Sequence, residues 1–163
     1  FLTSEPSWTS LPDAFLVVHI SHAIPSSYRK RCGMSGNRLV LDTNIILGYL
    51  AGKSDTTAYL KGQLQGDLYA SVITRMELLS FPAITSDEEQ AVKELLGCVT
   101  VMPLDEQIQE IAIRLRRVTQ SKLPDAIIAA TAIRLNATLV THDAALAKIT
   151  YPDLITVNPS FTP

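Results

Sequence analysis

Charge is sparse in this sequence. Asp, Glu, Lys and Arg make up 18% of 163 residues, against roughly a quarter in ordinary globular domains. A disordered or highly charged tail is thereby excluded. Basic residues are not in excess either: 14 Lys and Arg stand against 16 Asp and Glu, for a net charge of -2. That rules out a broad basic surface for nucleic acid and confines any such binding to a local patch. Aromatic residues are only 6%, too few to suggest an exposed base-stacking platform. The two cysteines, Cys32 and Cys98, make neither a disulfide framework nor a metal knuckle. We expect reduced thiols in a cytoplasmic protein, with Cys98 a small buried hydrophobe. There is no run of 18 apolar residues, so no membrane-spanning segment is expected. What is abundant is apolar: 47% of a 17.8 kDa chain. That suits one domain burying about two-thirds of its unfolded surface.

Residues 1–33 carry prolines and no long periodicity. Their apolar stretch from Ala14 to Ile20 resembles a short signal-peptide core. The residues before it include Glu5 and Asp13 and no Lys or Arg, whereas a secretory signal has a basic segment there. We therefore expect an upstream or appended N-terminal extension over 1–33 and a domain over 34–163, beginning at Met34. The alternative is a short element packed on the domain. His19 and His22 are three apart, a possible metal spacing, but no third ligand stands nearby.

From Leu39 onward, strand and helix patterns alternate. Strands are expected at 39–41, 68–73, 99–102, 138–141 and 154–157, from short apolar or β-branched runs. Helices are expected at 44–51, 56–65, 74–80, 86–96, 105–118, 124–135 and 144–149. Ser86 with Glu89 reads as a capping box, and Gly97 as that helix's stop. The helix from Asp105 has acids in its first turn and Arg114, Arg116 and Arg117 near its end, the polarity that suits a helix dipole. The helix from Pro124 is apolar almost all round, the mark of a buried helix. Strands separated by helices imply a single α/β domain with a central parallel sheet flanked by helices on both faces.

Such a sheet binds its ligands beyond the carboxyl ends of the strands. Asp42 follows Leu-Val-Leu and Asp143 follows Leu-Val-Thr-His, both at strand ends. Asp125 sits in the first turn of the apolar helix, and Glu77 in a short helix after a strand. Each has an ordinary explanation: a helix N-cap for Asp42 and Asp143, a dipole partner for Asp125, a solvated face for Glu77. The four lie 35, 48 and 18 residues apart in sequence, so only the fold can unite them. Asp42, Asp125 and Glu77 are set among apolar neighbours, where charge is costly unless compensated. A Mg²⁺ or Mn²⁺ ion is the natural compensation, because hard cations prefer oxygen ligands. A metal site with open water positions suits phosphodiester hydrolysis.

Four segments taken in order resemble the PIN domain, and in particular the VapC-type toxin ribonucleases of bacterial toxin–antitoxin pairs: Leu41-Asp42-Thr43-Asn44, Thr74-Arg75-Met76-Glu77-Leu78-Leu79, Leu123 to Ala132, and Leu139-Val140-Thr141-His142-Asp143. The resemblance runs from about Arg38 to Val157. It implies a metal-dependent endoribonuclease with the acid site on Asp42, Glu77, Asp125 and Asp143. It further implies that Asn44 supports the first aspartate by hydrogen bonding and that Thr141 orders the site. RNA as substrate, a small antitoxin partner and a homodimer follow from the same likeness. His142 stands where many relatives have Asn and is taken as neutral.

An acidic pocket repels phosphate, so basic residues should flank it. Arg114, Arg116, Arg117 and Lys122 form the densest cluster, with Arg75 another candidate. A competing possibility is a PIN-like domain that binds RNA or protein without cutting; the intact acid set argues against it. A receiver-like or dehalogenase-like domain also places an aspartate after its first strand. The dehalogenase-like Asp-x-Asp is absent here, where Asp42-Thr43-Asn44 stands, and no receiver-type acid pair or late lysine is evident.

Overall fold

A computed structural model of the chain describes residues 37–63 and 66–161. The expected extension over 1–33, with its His19–His22 pair and Cys32, lies outside the described residues.

The first strand, β1 (Arg38–Leu41), is followed by α1 (Thr43–Leu50) and α2 (Ser54–Gly62). Next come β2 (Asp67–Ser71), α3 (Val72–Leu79), α4 (Ser86–Cys98) and β3 (Thr100–Met102). The second half runs α5 (Glu106–Thr119), α6 (Leu123–Leu135), β4 (Thr138–Val140), α7 (Ala144–Ala147) and β5 (Ile155–Val157), and a 3-10 turn over Pro159–Phe161 closes it. The five strands form one sheet in the order β3-β2-β1-β4-β5, with every pairing parallel. The sheet expected from the alternating pattern is therefore present.

Side chains alternate across β1 in the manner a strand requires. Leu39 and Leu41 enter one core with Ile45, Ile46, Leu60, Leu78, Val92 and Leu95 from α1 to α4. Val40 enters the opposite core with Ile108, Leu115, Ile128 and Leu146 from α5 to α7. The sheet is thus covered on both faces, which is why its strands read as apolar runs. The helix α6 is buried along its length from Ala126 to Ala132, as its lack of a polar face implies.

The chain grows outward from β1 through β2 to β3, then returns to lay β4 on the other side of β1. This reversal makes the carboxyl ends of β1 and β4 the switch point of the sheet, where a crevice forms between diverging connections.

Several boundaries differ from the sequence expectation. The strand expected at 68–73 ends at Ser71, because the Ser71 hydroxyl accepts from the Ile73 N–H at 3.2 Å and caps α3. The helix expected at 56–65 starts at Ser54 and ends at Gly62. Gly97 does not stop α4, which continues to Cys98. The capping box is one residue earlier than expected: Thr85 accepts from the Glu88 N–H, and the Glu88 carboxylate accepts from the Thr85 N–H at 2.8 Å. Cys98 is half-buried rather than fully enclosed, and burial pushes its thiol pKa up.

Cap chemistry separates the two candidate residues. Thr85→Ala is expected to lower unfolding free energy by about 1 kcal/mol, whereas Ser86→Ala should stay within about 0.5 kcal/mol of the parent. Urea denaturation of the two variants measures the difference.

Candidate active site

Two of the acids, Asp42 and Asp143, lie at the switch point. Asp42 directly follows β1, and its backbone N–H still donates to the Val140 carbonyl of β4 at 3.0 Å. Its side chain turns down against the start of α1 and is only 5% exposed. Three groups hold that carboxylate. The Thr43 N–H donates to Oδ1 at 2.7 Å. The Thr141 hydroxyl donates to Oδ2 at 2.6 Å, and the Asn44 amide donates to the same oxygen at 2.7 Å. Asp42 is therefore an N-cap of α1, but one gripped from β4 as well.

Asp143 follows β4 and caps α7, where Oδ1 accepts from the Ala145 and Leu146 N–H groups at 2.6 and 3.0 Å. Its own N–H donates to the Thr141 hydroxyl at 2.9 Å. Thr141 thus touches both aspartates. Glu77, in the last turn of α3, accepts through Oε2 from the Thr43 hydroxyl. Asp125 is half-buried in the first turn of α6.

Electrostatics ties the four together. Burial pushes the Asp42 carboxyl up from its ordinary 3.8 to about 6, and the negative charges of Glu77 and Asp143 push the same way. The Thr141 and Thr43 hydrogen bonds oppose this without cancelling it. The Asp125 carboxyl is also raised, by burial first and then by Asp143 and Glu77, while Lys122 pulls it down. Asp42 and Asp125 therefore each sense Glu77 and Asp143. Hydrogen bonds through Thr43 and Thr141 link Asp42 to Glu77 and Asp143.

The carboxylates are not gathered as tightly as the sequence suggested. Among the described residues, no three His, Cys, Asp or Glu side chains stand close enough to hold one ion. The hydrogen bonds give the reason: Asp42 is engaged by three donors, Asp143 by two helix amides and Glu77 by Thr43. The donor chemistry nonetheless suits a hard divalent cation. All four groups are carboxylates, one is buried, and the ion pair recorded among the described residues, Lys93–Glu89, lies elsewhere on α4. A buried carboxylate with like charges and no cationic partner is the electrostatic state that a bound cation relieves.

Two residues of the site had no clear signal in the sequence. Thr43, between Asp42 and Asn44, links the β1 end to Glu77 on α3. His142, taken as neutral, is a hub. Its N–H donates to the Asn44 side-chain oxygen at 2.9 Å. One ring nitrogen lies 2.8 Å from the Thr56 hydroxyl, and the other 3.1 Å from the Asn158 side-chain oxygen. These contacts brace Asn44 from α2 and the C-terminal turn. Of the basic candidates, Lys122 borders Asp125. Arg114, Arg116 and Arg117 lie exposed along α5, and Arg75 lies exposed on α3.

The family model described as PIN domain matches residues 39–150. A solved toxin–antitoxin complex from Klebsiella pneumoniae contains a chain 30% identical to this one, covering 72% of this chain and 96% of its own, with a TM-score of 0.61. The structure of VapBC-1 from nontypeable Haemophilus influenzae is 26% identical over 76% of this chain and 98% of its own, with a TM-score of 0.65. FitAcB from Neisseria gonorrhoeae, at 24% identity, 76% and 99% coverage and a TM-score of 0.65, shares the fold. No curated protein matches the chain significantly.

The raised Asp42 value sets a pH dependence for the metal-free protein. A carboxyl that titrates at 3.8 unfolded and at about 6 folded binds its proton more tightly in the native state. The Asp42 contribution to stability is then greatest below pH 4, falls as pH rises towards 6 and is level above. The gap corresponds to about 3 kcal/mol at about 1.4 kcal/mol per pH unit. Urea denaturation across pH 4 to 7 should show this fall in the parent chain and a clearly smaller one in Asp42→Asn. Equal slopes would refute the assignment.

Proposed function

The chain belongs to the PIN domain family and resembles its VapC-type toxins; on that premise we propose that it is a divalent-metal-dependent endoribonuclease, the toxin of a VapBC-type toxin–antitoxin pair. The observation that carries the proposal is the buried Asp42 carboxylate, pushed up to about 6 at the switch point of the sheet by burial and by Glu77 and Asp143. In this reading Asp42, Glu77, Asp125 and Asp143 would hold Mg²⁺ or Mn²⁺ once drawn closer than they stand in the metal-free chain. When bound, the cation polarises a phosphodiester and favours ionisation of the attacking water.

The chain's own groups do the positioning. Thr141 donates to one Asp42 oxygen and accepts from the Asp143 N–H, so a single hydroxyl sets the spacing of two acids across the β4 end. Asn44 donates to Asp42 and is itself held by the His142 N–H. Thr43 fixes Glu77 towards the same edge. These bonds orient the acids before any substrate arrives, the condition under which charged groups stabilise a reaction most effectively.

The toxin–antitoxin neighbours support an antitoxin protein as partner. RNA as substrate, a homodimer and a cytoplasmic setting complete the proposal, together with a nuclease unit over 34–163 to which 1–33 is appended. Among the described residues no helix is long and apolar enough to cross a membrane.

Incubation with structured RNA and Mn²⁺ or Mg²⁺, with and without chelator, is the direct test. Cutting should require metal and fall by at least about 100-fold in Asp42→Asn. Equal cutting by the variant would identify a contaminant and end the proposal, and binding without cutting would favour the non-catalytic alternative. The same ions should raise the melting temperature of the parent chain by mass action, with a smaller rise in Asp125→Asn.

A further inference from the structure

A cavity of about 510 Å³ opens between the α5–α6 loop and α7, with Asp125 on its wall. It falls within the roughly 300–1,000 Å³ typical of sites that enclose one small ligand. Its composition is divided. Lys122, from the loop, and Lys148, after α7, supply two exposed ammonium groups. Val118, Ala145 and Ile149 supply apolar wall. Neither lysine has an ion pair among the described residues, and both share the cavity wall with Asp125.

The loop that forms one side is built to hold its shape. Gln120 takes the left-handed conformation, with φ of 55°, at the end of α5. The Thr119 hydroxyl donates to the Leu115 carbonyl at 2.9 Å and to the Ser121 hydroxyl at 3.0 Å. The Arg116 Nε donates to the Ser121 carbonyl at 3.3 Å. The arginine expected to meet RNA thus braces the loop through which Lys122 is presented.

We propose that this cavity seats one unstacked nucleotide of a single-stranded RNA segment, next to the phosphodiester held at the acid cluster. Lys122 and Lys148 take the phosphates of that segment, and the wall of Val118, Ala145 and Ile149 takes the face of its base. An anionic strand needs cations beside an acid site that would otherwise repel it, and these lysines line, from two parts of the chain, the cavity that Asp125 also lines. An apolar wall beside paired ammonium groups matches a nucleotide, which has a flat apolar face and a charged backbone. A base stacked inside a duplex could not enter, so the cavity selects single-stranded RNA. This inference rests on the nuclease proposal and assigns the strand's place within it.

The test uses the full chain carrying Lys122→Gln and Lys148→Gln, compared with Lys93→Gln plus Arg134→Gln, which removes equal charge from α4 and from the far end of α6. Binding of a short fluorescent RNA is followed in an Asp42→Asn background with Mg²⁺, across a salt series. Two lost phosphate contacts should lower the slope of log affinity against log salt by about 1.4, at roughly 0.7 per single-strand contact. Affinity should fall on the order of tenfold at moderate salt, and a duplex of the same sequence should bind more weakly than the single strand. With Asp42 restored, KM should rise by a similar factor. If the lysine pair matches the control in affinity, slope and KM while the parent still cuts, the cavity assignment is overturned and the nuclease proposal stands. If the parent with metal neither binds nor cuts RNA, both fall.

Discussion

One buried carboxylate organises this molecule's carboxyl edge. Asp42 sits where β1 ends and α1 begins, with β4 alongside, and it is enclosed on all but 5% of its surface. A charge placed there would destabilise the fold unless donors surround it. Three do: a backbone amide of α1, the Asn44 side chain on the same helix, and the Thr141 hydroxyl just past β4. Each donor comes from an element whose position the sheet already fixes. The site is therefore a consequence of the β1–β4 pairing, and the pairing at its open end is secured in turn by the site.

The ordinary roles of these acids and their proposed chemical roles are compatible. Asp42 and Asp143 both cap helices. Capping occupies Oδ1 of each in accepting amide hydrogens, which fixes the carboxylate plane. A flexible carboxylate would lose rotational freedom on capturing a ligand, whereas a capped one has lost it already during folding. The hydrogen bonds that made each aspartate explicable as structure are the ones that would make it a rigid, directed ligand in the proposed role. They also explain why the acids face one edge without closing into a cage: the fold restrains each carboxylate separately.

Much of the architecture was legible in the sequence because it depends on local signals. The apolar runs at Leu39-Val40-Leu41 and Leu139-Val140 mark strands buried on both faces, and the featureless α6 marks a buried helix. Asp42, Glu77 and Asp125 stood out as charges among apolar neighbours, and the pairing of β1 with β4 places Asp42 and Asp143 at one edge. What escaped was set by contacts distant in sequence or by single-residue competition. His142 meets Thr56 across 86 positions and Asn158 across 16, and nothing beside it announces either partner. Thr85 and Ser86 are adjacent and similar, and only the reciprocal contact with Glu88 decides which one caps α4. Lys148 gave no signal because its neighbourhood depends on the packing of α7 against the α5–α6 loop.

The distribution of charge separates two tasks that oppose each other. A site for a divalent cation wants anionic oxygens in a poorly solvated place, where their field is strong. A site for RNA wants cations, and exposed ones, because neutralised phosphates release counterions to bulk water. The chain buries Asp42, held by Thr43, Thr141 and Asn44, leaves Glu77, Asp125 and Asp143 half-buried, and exposes Lys122 and Lys148. Buried groups are screened little by salt, while exposed ones are screened strongly. On the proposed function, ionic strength then acts on capture of the strand far more than on the hydrolytic step. Substrate preference could change by altering the rim lysines or the α5–α6 loop, with the β1–β4 edge that orients the acids left intact.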